Sequence, residues 1–388
     1  MMQRIPYARQ NINQDDIQTV IQVLQSDFLT QGPAVERFEQ AVAAYCGAKY
    51  AVAVNSATSG LHIACMAAGL GSGDILWTSP NTFVASANCG LYCGATADFV
   101  DIDPRTYNLS VAELAEKLNR SRQQGTLPKV VIPVDFSGQS CEMKSIRELA
   151  KEYGFTLIED ASHAIGGCYQ DNKVGSCQFS DMTVLSFHPV KIITTAEGGM
   201  VLTNREDLYE KLLLLRSHGI TRNPAKMVGD SHGPWYYQQV DLGFNYRLTD
   251  LQAALGCSQL QRIDEFVARR QVLAARYNQA LSRLPLTIPY QHPDAYSAYH
   301  LYVIRLHTGK LRKTRRQIFE ELVGAGINVN LHYIPVHTQP YYQRLGFKPG
   351  DFPRAEQYYQ EAISLPMYFG LTDAMQDRVI QALQEAIQ

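Results

Sequence analysis

The chain has 388 residues, 46% of them hydrophobic and 19% charged, enough apolar material for two ordinary globular domains. A formal net charge of −2 argues against a nucleic-acid partner, which demands a basic face, but not against a small anionic substrate that needs only a few local cations. The opening MMQRIPYARQ lacks the apolar stretch of a signal peptide, no window reaches the length of a membrane helix, and the eight cysteines are scattered as small hydrophobes rather than grouped as metal ligands, so a cytoplasmic protein is expected.

In chain order, Asn13 caps a helix over 14–24 whose Ile17, Val20, Ile21 and Leu24 form an apolar stripe. The polar SDFLTQGP turn follows, then a helix over 35–45 ended by Gly47. A β-branched run over 50–54 reads as a strand, NSATSG as a small-residue loop, and 61–68 as a helix. Strand, small-residue loop and helix together form a phosphate cradle, because small residues let backbone N–H groups and the positive helix end approach an anion; Ala57, Thr58 and Ser59 are the candidates. Strands over 75–79, 97–100, 130–135 and 156–159 then alternate with helices opening at 82 and spanning 111–118 and 143–153. This alternation predicts a mostly parallel sheet covered on both faces, with ligands outside the carboxyl ends of its strands.

Asp160 ends the last of those strands, where a carboxylate either caps the next helix or faces a ligand. In SFHPVKIITTAEGG, at 186–199, an apolar run breaks at Pro189 and presents a single lysine, Lys191, before a paired glycine turn. A desolvated lysine has a depressed pKa and becomes a nucleophile able to form a Schiff base. The Gly198-Gly199 pair reads as backbone permissiveness. Residues 220–237 read as a long surface loop and 248–284 as one long helix ended by Pro285. That helix would link a large unit (1–250) to a smaller one (251–388) with strands at 299–306 and 328–333 and helices at 313–325, 355–363 and 372–387.

Five stretches in order, NSATSGLHIA at 55–64, TFVASANC at 82–89, IEDASHAIGG at 158–167, SFHPVKIITTAEGGM at 186–200 and DLGFNYRLTDLQAALG at 241–256, resemble the DegT/DnrJ/EryC1 family of pyridoxal-phosphate-dependent sugar aminotransferases. The similarity spans nearly the whole chain. It implies an α/β protein of PLP-dependent transferase fold type I (aspartate aminotransferase-like), with pyridoxal 5'-phosphate as cofactor. By that resemblance Lys191 carries the cofactor and Asp160 faces its ring nitrogen, keeping the ring an electron sink. Phe83 stacks on the ring, His163 lies against it or its phenolic oxygen, and Ser186 joins Ala57, Thr58 and Ser59 at the phosphate. Asn245 reaches the phosphate in the neighbouring subunit, which implies a homodimer with shared active sites. Tyr7, Asp27, Phe28, Leu29, Thr30, His188, Asn330, Leu331, His332 and Tyr333 are implied to face the nucleotide-sugar substrate, with L-glutamate as amino donor. The segments RIPYARQNINQDDI and SDFLTQGP are most similar to the branch acting on UDP-4-keto-6-deoxy amino sugars in pseudaminic acid synthesis. Other sugar nucleotides (dTDP- or GDP-linked), 3-keto substrates and a non-catalytic regulatory role stay open.

Overall fold

A computed structural model describes residues 4–388. Its centre is a seven-stranded sheet in the order Tyr50–Val54, Gly199–Thr203, Met182–Ser186, Thr156–Asp160, Val130–Ile132, Ile75–Thr78, Thr96–Phe99. Only Gly199–Thr203 runs against the rest, pairing antiparallel with both of its neighbours. The central strands are mostly apolar because both faces are covered, and the polar Glu159 and Thr183 within them are bonded to each other at 2.6 Å. Val130, Ile132, Ile158 and Val184 pack on one face with Leu61, Leu208 and Leu212, whereas Val131 and Leu157 pack on the other with Leu114, Leu118, Met143 and Ile146.

Six parallel strands therefore end at one edge, and residues 55, 78–82, 133–135, 160 and 186 emerge there together. The reversed strand begins at that edge, with Gly199 paired to both Val54 and Ser186. A second core gathers Tyr302, Ile304, Ile363 and Leu365 of a three-stranded antiparallel sheet with Ile318, Leu322, Val379 and Leu383 of two helices. Ile5, near the start of the chain, is buried in this second core and pairs with Ile327.

Four expectations need correction. The 248–284 helix is two helices, Asp250–Leu260 and Ile263–Leu281. The turn between them lets Ser258, Gln259 and Arg262 all reach the fully buried Asp16, at 2.6, 2.7 and 2.7 Å, and no Gly or Pro marks it. NSATSG is not a loop ahead of a helix: the helix spans Ala57–Ala67 with Ser56 as its N-cap, and Ser56 Oγ takes the Ser59 amide. Residues 328–333 are irregular apart from one bridge between Asn330 and Ser364, because the segment turns inward to place His332 and Tyr333 in the cleft. The helix expected over 355–363 is Pro353–Glu361, and the apolar AISL after it becomes the strand Ala362–Leu365 paired with Tyr302–Leu306. No helix among the described residues is long and apolar enough to cross a membrane.

Candidate active site

At the shared strand edge lies a cleft of about 750 Å³ that gathers Tyr7, Ala57, Thr58, Ser59, Phe83, Asp160, His163, Ser186, His188, Lys191, His332 and Tyr333. Lys191 sits on a loop fastened by its neighbours. Phe187 is fully buried against Phe38, and its carbonyl accepts from the Thr195 amide (3.0 Å) and from Thr194 Oγ1 (2.9 Å). Burial lowers the Lys191 pKa to about 8, although the nearby Asp160 carboxylate opposes the drop. A neutral amine is thus accessible close to physiological pH.

Asp160 is 4% exposed, and both carboxylate oxygens are held. One accepts from Ser86 Oγ at 2.6 Å, the other from Ser162 Oγ at 2.6 Å and the Ser162 amide at 3.1 Å. Ser86 is itself bonded to Thr82 Oγ1 at 2.8 Å. These contacts lock the side chain. His163, His300 and His332 approach Lys191, and burial holds each of them below the ordinary histidine range, with Lys191 adding to the effect. His332 falls to about 3. The only anion facing the lysine among these groups is Asp160.

The first turn of Ala57–Ala67 opens on the cleft with Ser56 Oγ spent on the Ser59 amide, which leaves the amides of Ala57 and Thr58, at the helix start, without a partner among the described residues. Gly199 matters here for closeness rather than for its backbone angle. A Cβ on it would lie 2.6 Å from the Ala57 nitrogen, so only glycine lets the reversed strand run under the cradle. A buried Asn55 Oδ1 beside the cradle and the buried His300 Nδ1 have no partner among the described residues. An anion-binding helix end, a locked carboxylate, an enclosed lysine and unspent polar atoms in one cavity fit a phosphorylated pyridine aldehyde.

Several of the expected residues lie elsewhere in a single copy. Asp27, Phe28, Leu29 and Thr30 do not line the cleft; Phe28 and Leu29 are exposed, and Thr30 pairs with Thr249. Asn245 is exposed, bridges to Ser217 and lies off the cleft. Asn330 does not line the cleft; its Oδ1 accepts from the Leu331 amide, and Leu331 packs with Phe136 and Tyr358. Sequence reasoning passed over Ser86, Ser162, Glu197, Gln252 and His300, which do line the cleft. The first four lie inside motif stretches and were readable there; His300 carries no signal.

The chain matches the DegT/DnrJ/EryC1/StrS aminotransferase family over residues 10–384. It is 38% identical over 387 residues to the GDP-perosamine synthase of Caulobacter vibrioides, covering 99% of this chain and 98% of that one. It is 38% identical over 366 residues to a UDP-4-amino-4,6-dideoxy-N-acetyl-beta-L-altrosamine transaminase of Campylobacter jejuni, covering 94% and 92%. Among solved structures, PseC of Helicobacter pylori, an aminotransferase involved in the biosynthesis of pseudoaminic acid, superposes with a TM-score of 0.90 at 32% identity over 99% of both chains. The PLP form of a Streptococcus pneumoniae protein superposes at 0.88 with 27% identity, over 99% and 100%. The chain belongs to the DegT/DnrJ/EryC1/StrS aminotransferase family, a sugar aminotransferase dependent on pyridoxal 5'-phosphate.

Proposed function

We propose that the protein transfers the amino group of L-glutamate to C4 of a UDP-linked 4-keto-6-deoxy-N-acetyl hexosamine, the amination of pseudaminic acid biosynthesis, in the cytoplasm and as a homodimer with shared active sites. The observation that carries the chemistry is Lys191, an amine with its pKa lowered to about 8 in a cleft whose locked carboxylate is Asp160. The Campylobacter and Helicobacter relatives support the substrate. The Caulobacter relative, equally similar over a longer span, supports a GDP-linked 4-keto sugar as the second reading.

When bound, the cofactor supplies an electron sink for breaking a C–H bond beside nitrogen. The chain's own residues do the rest. Lys191 Nζ binds the aldehyde and holds or releases the proton that moves. Asp160, fixed by Ser86 and Ser162, keeps the ring nitrogen protonated. The amides of Ala57 and Thr58, with Ser59 and Ser186, hold the phosphate. Phe83, 58% exposed and beside the cleft, offers its face to the ring.

Two observations support a site completed by a second copy. No arginine is among the described residues that line the cleft, although the donor brings two carboxylates. Asn245 lies off its own cleft, and Val228, Trp235 and Leu242, in the stretch of chain leading up to it, are 84%, 72% and 70% exposed. The test is an absorbance spectrum of the loaded protein. L-glutamate should convert the band near about 420 nm to the amine form, and the correct keto sugar nucleotide should restore it. Restoration by a GDP-linked but not a UDP-linked 4-keto sugar overturns the first reading in favour of the second.

A further inference from the structure

Ser137 lies in the short turn Phe136–Gly138 with φ 63°, a left-handed conformation that residues other than glycine seldom adopt. The turn is held that way from both sides. Ser137 Oγ donates to the Leu301 carbonyl at 2.7 Å, and Gly138 packs so closely that a Cβ would meet the Tyr299 nitrogen at 2.8 Å. As a result the Ser137 amide points at His163 Nδ1, 3.2 Å away. An amide can only donate, so Nδ1 carries no proton. Burial, with Lys191 and His332 nearby, keeps the ring neutral. The one remaining proton therefore sits on Nε2. Nε2 lies 3.1 Å from Tyr333 Oη and donates to it. The hydroxyl's own hydrogen has no acceptor among the described residues, and Tyr333 lines the cleft.

We propose that Tyr333 polarises the keto oxygen of the sugar acceptor, its hydroxyl oriented by a one-way chain from the Ser137 amide through His163 to Tyr333 Oη. This rests on the reading of the acceptor as a keto sugar. The chain is neutral throughout, which suits a carbonyl oxygen that starts uncharged and gains negative charge as its carbon is attacked; a carboxylate would call for a cation. Each link polarises the next, so the last hydrogen is a better donor than an isolated phenol. Tyr333 gives only a hydrogen bond and keeps its own proton; the carbonyl oxygen leaves as water, with both of its hydrogens taken from the incoming amine. Burial raises the Tyr333 pKa further above its ordinary value, so the donor hydrogen stays in place throughout the working range. Ser137 and His163 are positioning residues that act through Tyr333.

The test separates the two half-reactions of Tyr333→Phe, which removes one oxygen and keeps the ring. The loaded variant should convert with L-glutamate within about 2-fold of the wild-type rate, whereas the return step with keto sugar nucleotide should slow by about 100-fold. Equal slowing of both steps, or of neither, overturns the proposal. A wild-type enzyme that completes the glutamate step but returns with no UDP-, GDP- or dTDP-linked keto sugar overturns the substrate reading and this proposal with it, and is told apart by the wild-type control. Activity is not the only readout. In cofactor-free protein labelled with ¹⁵N-histidine, the pair of signals missing from His163→Gln should show Nδ1 unprotonated and Nε2 protonated from about pH 6 to about pH 8, in wild type and in Tyr333→Phe. The opposite tautomer or a charged ring there overturns the chain of donors.

Discussion

A Lys191→Met substitution tests the electrostatics of the cleft without any cofactor. The folded protein lowers the lysine from its ordinary 10.5 to about 8, chiefly through burial. Between those two values the unfolded chain binds more protons than the folded one, so the stability of the cofactor-free protein rises with pH across that window. Below about pH 8 the full penalty applies. At about 1.4 kcal/mol per pH unit it amounts to about 3 kcal/mol at neutral pH, and it vanishes above the unfolded value. Methionine matches the aliphatic stem and carries no charge. Chemical denaturation of both cofactor-free proteins at one fixed protein concentration should show the variant more stable by about 3 kcal/mol near pH 7, with the gap closing toward zero near pH 10.5. Other titrating groups are common to both proteins and cancel in the difference. A gap that stays constant with pH would refute the claim that Lys191 is held in a desolvating site.

Three further substitutions probe the parts around it. Asp160→Ala leaves the buried hydroxyl of Ser86 and the hydroxyl and amide of Ser162 without their acceptor, so thermal unfolding should report a loss of about 1–3 kcal/mol for each buried group stranded, together with loss of glutamate-driven band conversion. Gly199→Ala drives a methyl group to within 2.6 Å of the Ala57 nitrogen; calorimetry should show about 1–3 kcal/mol of destabilisation, and cofactor titration a weaker phosphate site. Phe83→Ala removes an exposed ring at the cleft mouth, and loss of stacking worth about 0.5–1.5 kcal/mol should raise the cofactor Kd by about 2- to 12-fold with no change in unfolding midpoint.

What could be read from sequence follows from where the forces are local. The strands from Tyr50–Val54 to Thr156–Asp160 declared themselves because burial on both faces demands mostly apolar runs. Asp160 and Lys191 were legible because each sits where a strand has just ended, the place at which a parallel sheet collects its ligands. The break between Asp250–Leu260 and Ile263–Leu281 was hidden because its cause, Asp16, is more than 240 residues away in the chain. The helix start at Ala57 preceded the apolar periodicity used to place it, since the cap Ser56 and the residues after it are small and only weakly patterned. Ser137 and His300 were invisible for a different reason: one acts through a backbone angle and the other through a position fixed by packing against His163 at 4.4 Å. Neither leaves a motif.

Borohydride reduction of the loaded enzyme, followed by peptide mass mapping, asks whether Lys191 holds the cofactor. A single stable adduct with the mass of reduced pyridoxal phosphate is expected, on the peptide that contains Lys191 and on that side chain. An adduct on any other lysine, or a loaded enzyme that yields none, would contradict it.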